Sequence, residues 1–425
     1  MSLETVLTEE NKEDINKIGQ ADILIGIPSY KSEKTIGHVI SAAQYGLAKY
    51  FPFLKAVIMS SDGGSPDKTQ EIAKKTDVYT NLDKILVEHP VYPARNLVIN
   101  YPGTPNSTNA IRAIFEVARE LNVKVCLILD STLQSIDPKW IELLAGPILH
   151  VGYDYVTPYY YCTKYDGMIN SIVVYPFIRA LYGKRIRQPM TGELGLSRKA
   201  VDFFLNKKVW EISGSSNTIN LSMVVSAISE GYKVCQAFLG VKVCMNKSGD
   251  VFDNVGSNFN EIVGTLFETT FLYREKWKKI KNSSSSKIYG FRSEVSPEGA
   301  DLSWESLYEK FKKEAPLFFN LWSKILSSSL YKEVKKLNEA SSFKFDTNLW
   351  SKILYEFTIA YNTNNIDKTK ILDALLPLYY AQLAFFIRET SSMSISQTEK
   401  VIEKLCQSFE EEKPYFLEKW NALIG

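Results

Sequence analysis

Asp130 is the side chain with the most chemistry to offer. It follows Val125-Cys-Leu-Ile-Leu129, an apolar run too short for a buried helix and suited to a strand covered on both faces. In open α/β sheets ligands settle outside the carboxyl ends of the strands, so an acid placed there can hold a ribose or a base. It can also hold a divalent cation that neutralises a diphosphate. A turn or helix cap is the plainer use of the same aspartate. A second acid, Asp62, follows Ala56-Val-Ile-Met59 in a turn where Gly63 and Gly64 permit tight backbone. Farther on, Lys184, Arg185 and Arg187 crowd against Met190-Thr-Gly-Glu193. Such cations grip a carboxylate or phosphate, or simply form a solvated loop. The irregular aromatic stretch Pro158-Tyr-Tyr-Tyr-Cys-Thr-Lys164-Tyr165-Asp166 suits a sugar-binding cleft, or tyrosines packed at a sheet edge.

Other reactive residue types lead nowhere. His38 sits inside a helical pattern, His89 precedes Pro90 and His150 ends a helix, so each reads as structural. No Ser-His-Asp or Cys-His arrangement is visible. Cys244, after the strand-like Val241 to Val243, reads as a small buried thiol.

The elements that must position these residues alternate. A polar helix over Thr8 to Ile18 precedes a strand over Asp22 to Ile27, and helical periodicity then runs from Lys34 to Tyr50. The strand before Asp62 leads to a helix start at Ser65-Pro66; a strand at Leu97 to Asn100 leads to a helix with Ala110, Ile111, Ile114 and Phe115 on its buried side. Asp137-Pro138 opens the helix after Asp130. This alternation predicts a parallel sheet with helices on both faces. A GxGxxG fingerprint after the first strand and a GxxxxGK[ST] loop are both absent from the sequence. Residues 281–302, rich in Ser, Gly and Pro, predict a linker or mobile loop between a domain over 1–280 and a helical domain over 303–425. The aromatic stripes of that last region, such as Leu349, Trp350, Ile353 and Phe357, have the spacing of a core or of a homodimer interface.

Bulk properties narrow the partners. With 425 residues the chain can bury a large core, and its 50 basic against 48 acidic residues give no general pull toward nucleic acid or an anionic membrane. The 5 cysteines are widely spaced, without a CxxC pair, which argues for a reducing compartment and against a disulfide framework or zinc site. The polar N-terminus and the lack of a continuous apolar run of spanning length predict a cytoplasmic protein with no membrane segment.

Taken as a set, Gly26-Ile-Pro-Ser-Tyr30, Ser61-Asp-Gly-Gly-Ser-Pro-Asp67, Asp130-Ser-Thr132, Ser135-Ile-Asp-Pro-Lys-Trp140, Gln188-Pro-Met-Thr-Gly-Glu193 and Ala237-Phe-Leu-Gly-Val-Lys242 carry a resemblance. They resemble the retaining glycosyltransferases that make glucosylglycerate, mannosylglycerate and glucosyl-3-phosphoglycerate. The resemblance runs through residues 20 to 275 and extends to Leu349-Trp350, Leu376-Pro-Leu-Tyr379 and Arg388-Glu-Thr390. It implies a GT-A (nucleotide-diphospho-sugar transferase) α/β fold with a C-terminal helical domain. The implied reaction moves a hexose from a nucleoside-diphosphate sugar to glycerate or phosphoglycerate, with retention of configuration and the help of Mg²⁺ or Mn²⁺. Carried over by position, Pro28, Ser29, Tyr30, Asp62, Gly63, Ser107, Asp130 and Ser131 bind the nucleotide sugar, and Asp130 with Cys244 holds the metal. Lys164, Tyr165, Asp166, Arg187, Thr191 and Gly192 bind the acceptor, and Glu193 and Asn220 are catalytic. The chain departs from the pattern at Thr132 (an Asp in the family), Ser107 (a Lys), Cys244 (a His) and Asn220 (an acid). These departures leave open a catalytically impaired relative that serves as a sugar-nucleotide-binding or protein-interaction module.

Overall fold

The computed structural model describes residues 5–77, 94–100, 107–207, 210, 216–245, 255–291, 303–339, 345–363 and 366–423. His89 and residues 101–106, 246–254 and 292–302 lie outside the described residues. The chain forms two units interleaved along the sequence rather than divided once near residue 280. The first comprises Met1–Tyr161, Met190–Ser248 and Ser286–Val295; the second comprises Cys162–Pro189, Gly249–Ser285 and Ser296–Gly425.

The first unit is built on strands β1 (Ile23–Ser29), β2 (Ala56–Asp62), β3 (Arg95–Asn100), β4 (Val125–Ile128) and β5 (Tyr155–Tyr161). After the two-residue β6 (Lys184–Arg185) of the second unit come β7 (Leu194–Ser197) and β8 (Val234–Val241), then β9 (Ser284–Ser285) in the second unit and β10 (Ile288–Tyr289). The sheet order is β10-β8-β5-β7-β4-β1-β2-β3, with β7 antiparallel to both neighbours and the remaining pairings parallel. That parallel majority with helices between strands is the α/β architecture expected. The continuous apolar runs follow from burial on both faces: Ile23 through Ile25 and Val125 through Leu129 have almost no exposed surface. At Gly26 a Cβ would lie 2.3 Å from Ile114 of the helix Ser107–Glu120, so only glycine lets that helix approach β1.

Two expectations need correction. Tyr159, Tyr160 and Tyr161 belong to β5 and not to an irregular loop; Tyr159 and Tyr161 pack on Phe238 from one face, while Tyr160 turns to Trp140 on the other. Residues 281–302 are not a free linker throughout, because Ser284–Ser285 pairs with β6 and Ile288–Tyr289 pairs with β8. Helix Lys368–Thr390 is long and apolar enough to cross a bilayer by length and composition alone, a test that a core helix also passes, and most of it is buried in the second unit. Scattered polar residues such as Asp373, Gln382 and Arg388 hide it from a search for continuous apolar runs.

Helices dominate the second unit. Trp322 Nε1 donates to the Ala374 carbonyl and Trp350 Nε1 to that of Ile172, each at 2.8 Å, so these two buried indoles have their polar atoms paired. Arg179, fully buried, donates to Glu403 at 2.6 Å and to Glu410 at 2.9 Å. Lys413, buried in the same unit, donates to the carbonyls of Ala180 and Leu181 at the end of helix Tyr175–Tyr182, and to that of Ile280. A helix end leaves its last carbonyls without intrahelical partners, and this ammonium satisfies two of them.

Candidate functional site

Parallel register brings the first-unit motifs together. Ser29 is opposite Asp62 and Gly26 opposite Ile128, so the loops after β1, β2 and β4 leave the same edge of the sheet. They are tied to one another. The Gly63 N–H donates to the Ser29 carbonyl at 3.0 Å, the Ser32 and Ser131 hydroxyls meet at 2.8 Å, and Thr35 Oγ1 donates to the Ser131 carbonyl at 2.7 Å.

Asp62 is what holds the second loop. It is fully buried and accepts from Ser65 N (2.7 Å), Ser65 Oγ (2.7 Å), Gln70 Nε2 (2.9 Å) and Ser29 Oγ (3.2 Å). Its oxygens are occupied by the protein, so the expected direct contact with a nucleotide gives way to a role in shaping the loop that carries Gly63. Ser29 and Ser131 are likewise buried and bonded within the loops, whereas Tyr30 is 43% exposed and Pro28 is half-buried. Ser107 opens the helix Ser107–Glu120, and the residues directly before it lie outside the described residues.

Around Asp130 the arrangement is more open. Its Oδ1 accepts from Thr132 N (2.8 Å) and Thr132 Oγ1 (2.7 Å), the bonds of an Asx turn. Thr132, where the family pattern has an acid, thus fixes Asp130's rotamer. Its Oδ2 faces Gly192: a Cβ on that glycine would lie 3.8 Å from Oδ2 and 3.9 Å from Lys242 Nζ. Gly192 therefore lies beside both a carboxylate and an ammonium. Lys242 Nζ donates to Glu193 Oε1 (2.8 Å) and Oε2 (2.9 Å), and Tyr160 OH donates to Glu193 Oε2 (2.7 Å). Glu193 has no exposed surface, while Lys242 keeps 24% of its side chain exposed. Burial pushes against the charge on Lys242, but Glu193 and Asp130 outweigh it and hold the ammonium above its usual range. Burial and the Glu193 carboxylate raise the Tyr160 phenol well above its ordinary value.

A β-bulge aims these groups. Tyr159 pairs with Phe238 but Tyr160 with Gly240, so Leu239 is extra, and Gly240 takes φ +82°, a conformation that suits glycine. Lys242 and Tyr160 were assigned no role from the sequence. The Ala237–Lys242 motif and the tyrosine run were visible, but only the strand alternation and the bulge show that both converge on Glu193.

Cys244 forms a bridge opposite Leu133, and the main chain pairs on through Gln134 N to Val243 O (2.8 Å) and Met245 N to Thr132 O (3.0 Å). Burial foremost, and Asp130 besides, raise its thiol, partly opposed by Lys242. A protonated thiol is a poor ligand for a hard cation, so Cys244 fits the metal role badly. Among the described residues no group of 3 or more His, Cys, Asp and Glu side chains could hold a metal. What remains outside the Asx turn is one carboxylate oxygen, Asp130 Oδ2, of the hard donor type that Mg²⁺ or Mn²⁺ would take.

Asn220 sits in helix Ser216–Ser229, fully buried, and neither Oδ1 nor Nδ2 has a hydrogen-bond partner among the described residues. Four of the expected acceptor contacts fall in the second unit and are engaged inside it. Lys164 Nζ donates to the Ser391 carbonyl (2.9 Å), Tyr165 OH to that of Ile387 (3.5 Å), and Asp166 accepts from Thr163 N (3.0 Å). Arg187 donates to Glu399 (2.8 and 3.2 Å) and to Ser171 Oγ (3.2 Å). The neighbouring cations Lys184 and Arg185 donate to Ser284 and Ser283. Thr191 and Gly192 stay with Asp130 in the first unit, half-buried.

No protein-family model matches the chain. It is similar to the glucosyl-3-phosphoglycerate synthase of Petrotoga mobilis, 25% identical over an alignment of 214 residues, with 45% of this chain and 59% of the relative covered. The chain thus spans less than two thirds of the curated relative's length. Among solved structures it is similar to glucosyl-3-phosphoglycerate synthase from Mycobacterium tuberculosis in complex with Mn²⁺, UDP and phosphoglyceric acid: identity is 20%, coverage 63% of this chain and 84% of that one, and the TM-score 0.42. The same enzyme with Mn²⁺, UDP-glucose and glycerol 3-phosphate gives 20% identity, 63% and 86% coverage, and a TM-score of 0.43.

Proposed function

We propose that the protein is a hexosyltransferase that takes its sugar from a nucleoside diphosphate and transfers it to glycerate or phosphoglycerate with retention of configuration. The observation that carries this reading is the convergence of Asp130 Oδ2 and Lys242 Nζ beside Gly192, in the first unit where loops leave the carboxyl ends of parallel strands. The motif resemblance and the curated relative, a glucosyl-3-phosphoglycerate synthase, supply the substrate class.

Under this reading Pro28, Tyr30 and Gly63 line the nucleotide, with Ser29, Asp62 and Ser131 holding their loops in shape. Asp130 would hold Mg²⁺ or Mn²⁺, which supplies charge neutralisation for the diphosphate. In the transfer, an acceptor hydroxyl oxygen bonds to the anomeric carbon as the bond to the β-phosphate oxygen breaks. The hydroxyl proton passes to that departing oxygen. Thr191 and Gly192 face the sugar and acceptor. Glu193, with its oxygens engaged by Lys242 and Tyr160, positions the ammonium instead of acting as a free base.

A second reading, sugar-nucleotide binding without transfer, is favoured by Thr132 in place of an acid and by Asn220, unpartnered among the described residues. Titration calorimetry with UDP-glucose, GDP-glucose and GDP-mannose, followed by turnover assays with glycerate and 3-phosphoglycerate, separates the two. Binding with turnover and an α-linked product by NMR supports transfer with retention. Binding without turnover supports the second reading, and no binding sinks both.

A further inference from the structure

We infer that the surface over residues 271–285, all in the second unit, docks on an anionic phospholipid bilayer, with the protein lying on the membrane and not crossing it. Residues 274–281 set Arg274, Lys276, Lys278, Lys279 and Lys281 against one acid, Glu275, a net charge of +4 in a chain whose total is +2. The whole chain exerts no such pull; the concentration of charge here does. Successive turns carry the backbone onward, with Trp277 N donating to Tyr273 O (3.1 Å), Lys278 N to Arg274 O (3.3 Å) and Ile280 N to Trp277 O (3.1 Å). At roughly 1.5 Å of rise per residue the five cations fall within about one Debye length and act together. Tyr273 and Trp277 turn inward and are buried, which leaves Lys276, Lys279 and Lys281 exposed. Strand β6 adds two more cations: Lys184 and Arg185 pair with Ser284 and Ser285, and their side chains donate to Ser284 and Ser283.

Apolar groups stand beside the charge. Phe271 is 39% and Leu272 52% exposed at the end of helix Val255–Leu272, and Leu423, one turn beyond Trp420 in helix Lys413–Leu423, is 65% exposed. The Trp420 ring lies 6.5 Å from that of Phe271 and 5.2 Å from that of Trp277, which ties these side chains to the cationic turn. The turn is firmly seated: Trp277 stacks on Phe416 at 5.0 Å and donates Nε1 to the Thr270 carbonyl (2.8 Å). A face set in advance loses little freedom on docking. The Arg274 guanidinium lies 4.5 Å from the centre of the Phe271 ring, its stem on apolar surface and its head toward water. A headgroup boundary accepts this combination, apolar side chains entering the acyl edge while cations meet lipid phosphates. Two other occupants fit worse. A second copy docked about a twofold axis would set the +4 of one turn against its own equal. A single-stranded nucleic acid needs aromatic faces for its bases, but Arg274 takes one face of Phe271 and Leu272 has no ring.

The test is partition of the full chain onto sedimented vesicles, either phosphatidylcholine alone or phosphatidylcholine with one third phosphatidylglycerol, in low and in high salt. Wild type is expected to partition onto the anionic vesicles about a hundredfold or more better, and to lose that gain in high salt. Lys276→Gln/Lys279→Gln/Lys281→Gln lowers partition by about a hundredfold, and Leu272→Ala by about tenfold, both with unchanged melting temperatures. Equal partition onto the two kinds of vesicle overturns the inference, as does undiminished binding by either variant. Two further results overturn it by giving the face another occupant: a polyuridine oligonucleotide bound more tightly than the anionic vesicles, or a wild-type dimer that Leu272→Ala turns into a monomer in analytical ultracentrifugation. None of these outcomes touches the sugar-nucleotide reading, which rests on the first unit.

Discussion

Lys242 Nζ reaches both carboxylate oxygens of Glu193, at 2.8 and 2.9 Å, and that carboxylate has no exposed surface. Breaking such a pair from one side leaves a buried charge alone, which costs about 3 to 5 kcal/mol, while replacing both partners removes the penalty. Lys242→Met is therefore expected to lower the urea midpoint far more than Lys242→Met combined with Glu193→Leu. Equal midpoints for the two would contradict the pairing. Since the ammonium's pKa is raised above its usual 10.5, the pair's contribution is complete below that pH and fades only at more alkaline values. The gap between wild type and Lys242→Met should stay flat from neutrality to about pH 9.

Asp62 and Asp130 both follow strands, yet they should respond differently to alanine. Asp62→Ala strips partners from Ser29, Ser65 and Gln70 in a buried loop and is expected to cost about 2 to 4 kcal/mol. Its nucleotide affinity should fall in step with stability, because the loop itself loosens. Asp130→Ala should weaken nucleotide binding with only a small change in melting temperature. Thermal unfolding and calorimetry on both variants check the contrast; a stable Asp62→Ala protein would refute the loop role.

Asn220 buries an amide with neither polar atom partnered among the described residues. An unsatisfied buried polar group costs about 1 to 3 kcal/mol, so Asn220→Leu should be at least as stable as wild type. If the side chain serves the substrate, the same variant loses transfer. Chemical denaturation read against a turnover assay decides this, and a clear loss of stability would show that Asn220 is a structural residue.

Lys413 makes a pH-dependent contribution of the opposite sense to Lys242. Burial pushes its ammonium down from 10.5 to about 8. Between those values the unfolded chain holds a proton that the folded chain has lost, so this residue's contribution becomes more favourable as pH rises. Wild type should therefore gain on Lys413→Met as the pH is raised from 7 to 10, although the variant, with three carbonyls unpaired, is the less stable throughout. Denaturation midpoints across that range give the sign.

The strands and helices of the first unit were legible because burial on both faces writes continuous apolar runs and surface helices write a 3.6-residue period. That was enough to put Asp130 and Asp62 at strand ends. It could not show that Asp62 turns inward, since its partners Ser29, Ser65 and Gln70 look like ordinary turn residues. Nor could it reveal the Glu193–Lys242 pair, whose members stand 49 positions apart and meet only after the bulge at Gly240. The tyrosines of β5 read as irregular because their two faces serve different neighbours, Phe238 and Trp140. Arg187 looked like an anion grip, but its partner Glu399 lies on a distant helix of the second unit.

The most direct measurement is calorimetric titration of UDP-glucose and GDP-mannose into wild type and Asp130→Ala, both in Mg²⁺. If the carboxylate beside Gly192 faces the diphosphate, wild type binds one of the two and the variant loses that binding. Undiminished affinity in a folded Asp130→Ala protein would contradict the account.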